Sequence, residues 1–134
     1  MGNVESVQAL YDAFGRGDTA SILDQLADDV QWDQETPSYG IRIYEPGSGK
    51  DHVKRFFEAV ADDIEFQKFQ PMNFLTGGDQ VAVTIDIEAM VKPTGKSFKA
   101  LEIHLWTFDE DGKISRLAHV IDRHAVALAY GLAG

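Results

Sequence analysis

SFKALEIHLWTFD (Ser97–Asp109), EDG (110–112) and KISRLAHVID (Lys113–Asp122) read as two strands around a turn. Side chains alternate along a strand, so Leu101, Ile103 and Leu105 share one face while Glu102, His104 and Trp106 share the other. A face carrying a carboxylate, an imidazole and an indole is neither a plain core face nor a plain wet one. Upstream, the alternation from Val81 is clean, with Val83, Ile85, Ile87, Ala89 and Val91 on one side and Thr84, Asp86, Glu88 and Met90 on the other. Gly77-Gly78-Asp79 and Pro93-Thr94-Gly95-Lys96 are turn signals on either side of that strand. Residues Ile64 to Leu75 carry Phe66, Phe69 and Phe74, and Pro71 among them marks an edge or a bulge.

The first half reads differently. Val4, Val7, Leu10, Tyr11 and Phe14 recur at helical spacing, and Gly15 and Gly17 end that helix. Asp18 or Thr19 caps a second helix with an apolar face of Ile22, Leu23 and Leu26, closed by Asp28-Asp29. Val30–Gln34 comes next as a short strand in which Val30, Trp32 and Gln34 share a side, opposite Gln31 and Asp33. Residues 35–50, with two prolines, three glycines and two tyrosines, form a loop of the kind that lines a site, and Tyr39 and Tyr44 are its candidate ligand contacts. Asp51 is a cap for a third helix with a face of Val53, Phe56, Phe57 and Val60. The end, Arg123 to Tyr130, fits a short helix or a strand-like tail. Helices gathered at one end and a meander of strands at the other predict an α+β fold, with a curved, mostly antiparallel sheet packed on helices.

Composition bounds the function. Hydrophobic residues are 44% and charged residues 25%, which suits one folded domain over residues 1–134. No cysteine is present, so disulfide and thiol chemistry are excluded. A net charge of −10 repels nucleic acid, and no basic stripe overrides it. The N-terminus lacks the basic and apolar regions of a signal peptide, and no apolar run reaches membrane-spanning length; a cytoplasmic protein that does not engage membranes is expected.

Counting Asp109 to Gly112 as the turn sets Glu102 opposite His119 and His104 opposite Leu117; counting Pro93 to Lys96 as the other sets His104 near Ile85 and Glu102 near Ile87. The concavity so formed is apolar (Ile85, Leu117, Ile121, Trp106) with Glu102, His104 and His119 converging in it. Histidine passes protons near neutrality, and a neighbouring carboxylate orients it or keeps it charged. Trp32 and Trp106 offer flat surface for a hydrophobic ligand. Proton abstraction beside a carbonyl, dehydration, aldol-type closure and epoxide opening all suit such a set, and none needs a cofactor. Asp122 is either a second carboxylate at the rim or a cap for a helix at the C-terminal end. Two histidines and a glutamate lack the spacing of a metal motif, so no metal is expected.

Three segments then carry a resemblance: ALYDAFGRGDTASILDQLADDVQWD (9–33), GSGKDHVKRFFEAV (47–60) and LEIHLWTFDEDGKISRLAHVID (101–122). Together they resemble the SnoaL-like polyketide cyclase and ketosteroid-isomerase-related group of the NTF2-like superfamily. That resemblance implies a cone-shaped (cystatin-like) α+β fold, a bent sheet round three helices with a deep apolar pocket, and a homodimer. It also implies what this chain lacks. Gln34 stands where the steroid isomerases have their base, His104 where they have an acidic oxyanion donor, and Leu10, beside Tyr11, where they have a tyrosine; steroid isomerisation is not expected. The cyclases carry a histidine on the penultimate strand and an acid/base group on the last, which His104 fits in the first role and His119 or Asp122 in the second. On that pattern His104 and His119 exchange the proton and Glu102 orients one of them, while Trp32, Gln34, Tyr39, Trp106, Ile85, Leu117 and Ile121 line the pocket. Asp33, beside Trp32, is an alternative carboxylate if the short strand is shifted by one. A non-catalytic small-molecule-binding protein and a protein-interaction module are the other two readings of the same fold.

Overall fold

The apolar stripe of the first segment folds as α1 (Asn3–Gly15), with Val7, Leu10 and Ala13 buried, in a computed structural model that describes residues 2–132. Asp18 caps α2 (Thr19–Asp24), accepting hydrogen bonds from the backbone N–H and hydroxyl of Ser21. The second helix is shorter than its apolar spacing predicts. Leu26, expected on its face, instead opens strand β1 (Leu26–Trp32). The reason is the neighbouring strand: Ile114 donates its N–H to the Gln25 carbonyl and pairs with Leu26, while the Lys113 ammonium takes the Asp24 carbonyl. A short 3-10 helix (Arg42–Tyr44) and strand β2 (Gly47–Ser48) lead to α3 (Lys50–Asp63). The cap of α3 is Gly49, at φ 86°, rather than Asp51, which sits in the first turn.

Four long strands come after it: β3 (Ile64–Gly77), β4 (Gln80–Val91), β5 (Lys96–Phe108) and β6 (Ile114–Val120). The last element among the described residues is α4 (Arg123–Tyr130), which resolves the choice there in favour of a helix and makes four α-helices among the described residues rather than three. The sheet order is β2-β1-β6-β5-β4-β3, with β1 parallel to β6 and every other pair antiparallel. β3 is an edge strand, and its ladder is interrupted between Pro71 and Asn73. Every inward residue of β4 from Val81 to Val91 is buried, each Val or Ile stabilising the fold by roughly 1.5–3 kcal/mol. Among the described residues no helix is long and apolar enough to cross a membrane.

Register differs from the counted turns at both ends of β5. Val91 pairs with Lys96, so the turn is residues 92–95, and His104 stands opposite Val83 with Glu102 opposite Ile85. On the other side, residues 109–113 connect the strands, organised by the Asp109 carboxylate, which accepts from the N–H groups of Asp111 and Lys113. Ser115 is bulged out, so His119 stands opposite His104 rather than Glu102. Both displacements are by two residues, which preserves every inward and outward assignment. Glu102, His104, Trp106, Leu117 and His119 are therefore all buried on the concave face. Leu101 and Val120 point outward, 55% and 53% exposed.

Candidate active site

A cavity lies between the concave face of the sheet, α1, α3 and the 3-10 helix. Its sheet side carries Trp32, Glu102, His104, Trp106, Leu117 and His119; Tyr11 and Phe14 come from α1, Phe56 and Phe57 from α3, and Tyr44 from the 3-10 helix. Most of this lining is aromatic, and the polar groups within it are organised into two hydrogen-bonded sets.

The first set is a polarised chain. The Trp106 indole N–H donates to the Tyr11 hydroxyl (3.1 Å), which lies 2.7 Å from His104 Nδ1. His104 Nε2 lies 2.9 Å from Glu102 Oε1, and the Tyr44 hydroxyl donates to Oε2 (3.1 Å). Because a carboxylate only accepts, Nε2 carries the proton and the neutral ring takes the Tyr11 hydroxyl at Nδ1. Burial pushes Tyr11 and Tyr44 well above the ordinary phenol range, so both stay protonated donors. Burial also drives His104 down, only partly offset by Glu102, and the ring is neutral at neutral pH. For Glu102, burial pushes the carboxyl up, but the adjoining His104 ring, the His119 imidazolium and the Tyr44 hydrogen bond outweigh burial and hold it below its usual range.

The second set is a dyad. His119 Nδ1 lies 2.7 Å from Asp33 Oδ2, and the His119 backbone N–H donates to Asp33 Oδ1 (2.8 Å). Burial would lower His119, but the Asp33 carboxylate beside it wins and raises it, favouring the imidazolium. His119 Nε2 has no protein partner among the described residues, and the ring lines the cavity. Arg123 donates to the His119 carbonyl (3.1 Å) and lies over the Tyr44 ring, 4.7 Å from its centroid.

Several sequence-based placements are corrected. β1 ends at Trp32, and Asp33 adopts a left-handed backbone (φ 55°) that turns its carboxylate inward, whereas period-two counting places it outside. The same departure leaves Gln34 exposed, its side chain donating to the Gly47 carbonyl rather than lining the cavity. Tyr39, also left-handed (φ 54°), is 66% exposed and does not line this cavity. Ile85 is fully buried in register with Glu102 but does not line the cavity. Asp122 is exposed and caps α4, accepting from the Ala125 N–H. His104 is in the cavity wall, but both of its nitrogens are engaged. Trp32, Trp106, Leu117 and Ile121 all line the cavity. Tyr11 is legible in the sequence only as part of a helical stripe; its hydroxyl role has no local signal, since its partners lie 93 and 95 residues away. Arg116 faces away and pairs with Glu35. Among the described residues no three His, Asp or Glu side chains are grouped so as to hold a metal ion.

Residues 7–117 match a family model described as the SnoaL-like domain. No curated protein matches the chain. Among solved structures, the chain is similar to an NTF2-like protein of Burkholderia pseudomallei K96243 (24% identity, TM-score 0.83, covering 96% of this chain and 98% of that one). It is similar also to an NTF2-like protein of Burkholderia thailandensis E264 (23% identity, TM-score 0.84, 97% and 98% covered). A third is TerC, co-crystallised with polyporic acid (25% identity, TM-score 0.78, 96% and 98% covered).

Proposed function

We propose, since this chain belongs to the SnoaL-like domain family within the NTF2-like superfamily, that it is an acid–base enzyme of cyclase, isomerase or hydratase type acting on a hydrophobic, carbonyl-bearing small molecule. Residues 1–134 serve as one domain in this reading. The observation that carries it is the His119 ring, which lines the cavity: Asp33 fixes Nδ1, and Nε2 has no partner among the described residues. A pair of titratable groups pushed apart by their surroundings marks an acid and a base. Here Asp33 biases His119 toward its charged form and Glu102 is biased toward its ionised form, so acid and base both come from the protein.

His119 donates its Nε2 proton to the ligand oxygen as negative charge develops there. Glu102 takes a proton from the adjacent carbon or hydroxyl, and the reverse transfers restore both groups. His104 is a positioning residue, donating to Glu102 while Tyr11 holds its other nitrogen. The aromatic lining keeps water out and gives the ligand its apolar seat. TerC, crystallised with polyporic acid, supports a small-molecule ligand in this fold. Two copies joined through the outward face bearing Leu101 and Val120 complete the reading, because that apolar surface is left uncovered.

The test is deuterium incorporation beside the carbonyl of a panel of polycyclic ketones headed by 1-tetralone, monitored by NMR in D2O. Catalysed exchange is expected in the wild type, reduced by about 100-fold or more in Glu102→Gln and in His119→Gln. Ketones that bind without exchange above the buffer rate would instead establish the non-catalytic binding reading.

A further inference from the structure

The protein has two tryptophans, both lining the same cavity, and their indole N–H groups are treated differently by the fold. Trp106 Nε1 donates to the Tyr11 hydroxyl at 3.1 Å. Trp32 Nε1 is buried and has no acceptor among the described residues, although Trp32 is only 1% exposed. A buried donor without an acceptor is destabilising and uncommon, and a native structure keeps one for a reason. The aromatic rings around it, Phe56, Trp106 and His119, stand at 60–74° to the indole with centroids 5.4–6.2 Å away. Such neighbours offer at most a weak N–H contact to a ring face, which an oxygen acceptor readily outcompetes.

We propose that Trp32 Nε1–H is a ligand-recognition donor, so that the cavity selects hydrophobic molecules bearing a carbonyl-type oxygen over hydrocarbons of the same shape. Trp32 and His119 are adjacent, with ring centroids 6.0 Å apart, and each has one nitrogen without a partner among the described residues. A ligand oxygen seated at this corner receives the Trp32 hydrogen bond beside the proton of His119. The backbone makes the placement firm: Trp32 is the last residue of β1, paired with Gly47 on one side and Leu117 on the other. A site built to hydrogen-bond an oxygen rejects the analogue lacking it, because the donor then stays buried and unpaired. This inference rests on the cavity being a ligand site, as the proposed function has it, but not on any reaction occurring there.

The two indole N–H resonances in a 15N-labelled sample provide the test, with Trp32→Phe assigning them. Titration with 1-tetralone is expected to move the Trp32 indole proton downfield and leave Trp106 nearly still. Tetralin, the same ring system without the oxygen, is expected to bind more weakly and leave Trp32 unshifted. In Trp32→Phe, affinity for 1-tetralone should fall about tenfold while affinity for tetralin stays the same, the remaining Trp106 resonance reporting that the variant is folded. Equal binding of both probes, with the Trp32 proton moved by both or by neither, overturns the recognition role and leaves the cavity reading standing. Binding of neither probe overturns both.

Discussion

His104 and His119 stand directly opposite each other on β5 and β6, ring centroids 4.8 Å apart and nearly perpendicular, and the fold pushes their basicities in opposite directions. Burial dominates at His104, whose partner Glu102 only partly offsets it. At His119 a bidentate carboxylate reverses the effect of burial.

An NMR pH titration reads this directly, since only four histidines are present. His119 is expected to titrate above about 6.5, the ordinary value, and His104 below it. Matching midpoints near that value would remove the distinction between the two sets.

Stability carries the same signature. His119 has its basicity raised on folding, so its contribution is complete below about pH 6.5 and is lost as pH rises through its folded midpoint. Asp33→Asn removes the charge while tolerating the left-handed backbone, for which asparagine is suited. Urea unfolding should show a loss of about 3 kcal/mol below pH 6.5, because the substitution leaves a buried charge without its partner. The loss should shrink as pH rises through the His119 midpoint, and the midpoint itself should fall in the variant. A loss independent of pH would mean that Asp33 acts only through packing.

Tyr11→Phe keeps the ring and deletes the hydroxyl that joins Trp106 to His104. Two buried polar atoms then lack partners, with an expected cost of about 1–3 kcal/mol in urea unfolding. The Trp106 indole resonance should move while that of Trp32 stays in place. An unchanged Trp106 resonance would contradict the polarised chain.

The outer sheet face gives a fourth expectation. Light scattering should report a two-chain mass for the wild type, and the double change Leu101→Lys with Val120→Lys should halve it without altering the circular dichroism spectrum. A single-chain wild type would show that the face stays uncovered.

Much of this architecture is legible in the residues themselves. The clean alternation of β4 places its core face, and the alternation of Glu102, His104 and Trp106 places the concave side of β5, because inward and outward assignment needs only parity. Pairing needs more, since turn length and the Ser115 bulge have no signature strong enough to count by. Asp33 is legible only as an alternative carboxylate, under a one-residue shift of the short strand, for a related reason. Its side chain points inward only because the backbone leaves the strand region at that residue, and period-two reading continues past the point where the strand has ended. The Asp122 cap is legible because capping is local, whereas the links from Tyr11 to His104 and from Tyr44 to Glu102 join elements far apart in sequence.

The parallel pairing of β1 with β6 also has a kinetic consequence. β5 and β6 are hairpin neighbours and can bring the two imidazoles together early, across a short connection. Asp33 reaches His119 from 86 residues away, and closing so long a loop is the entropically slow event in assembly. The meander is therefore expected to form first and the imidazolium to acquire its counterion late. A chain halted before β1 docks would display both histidines with only one of them equipped.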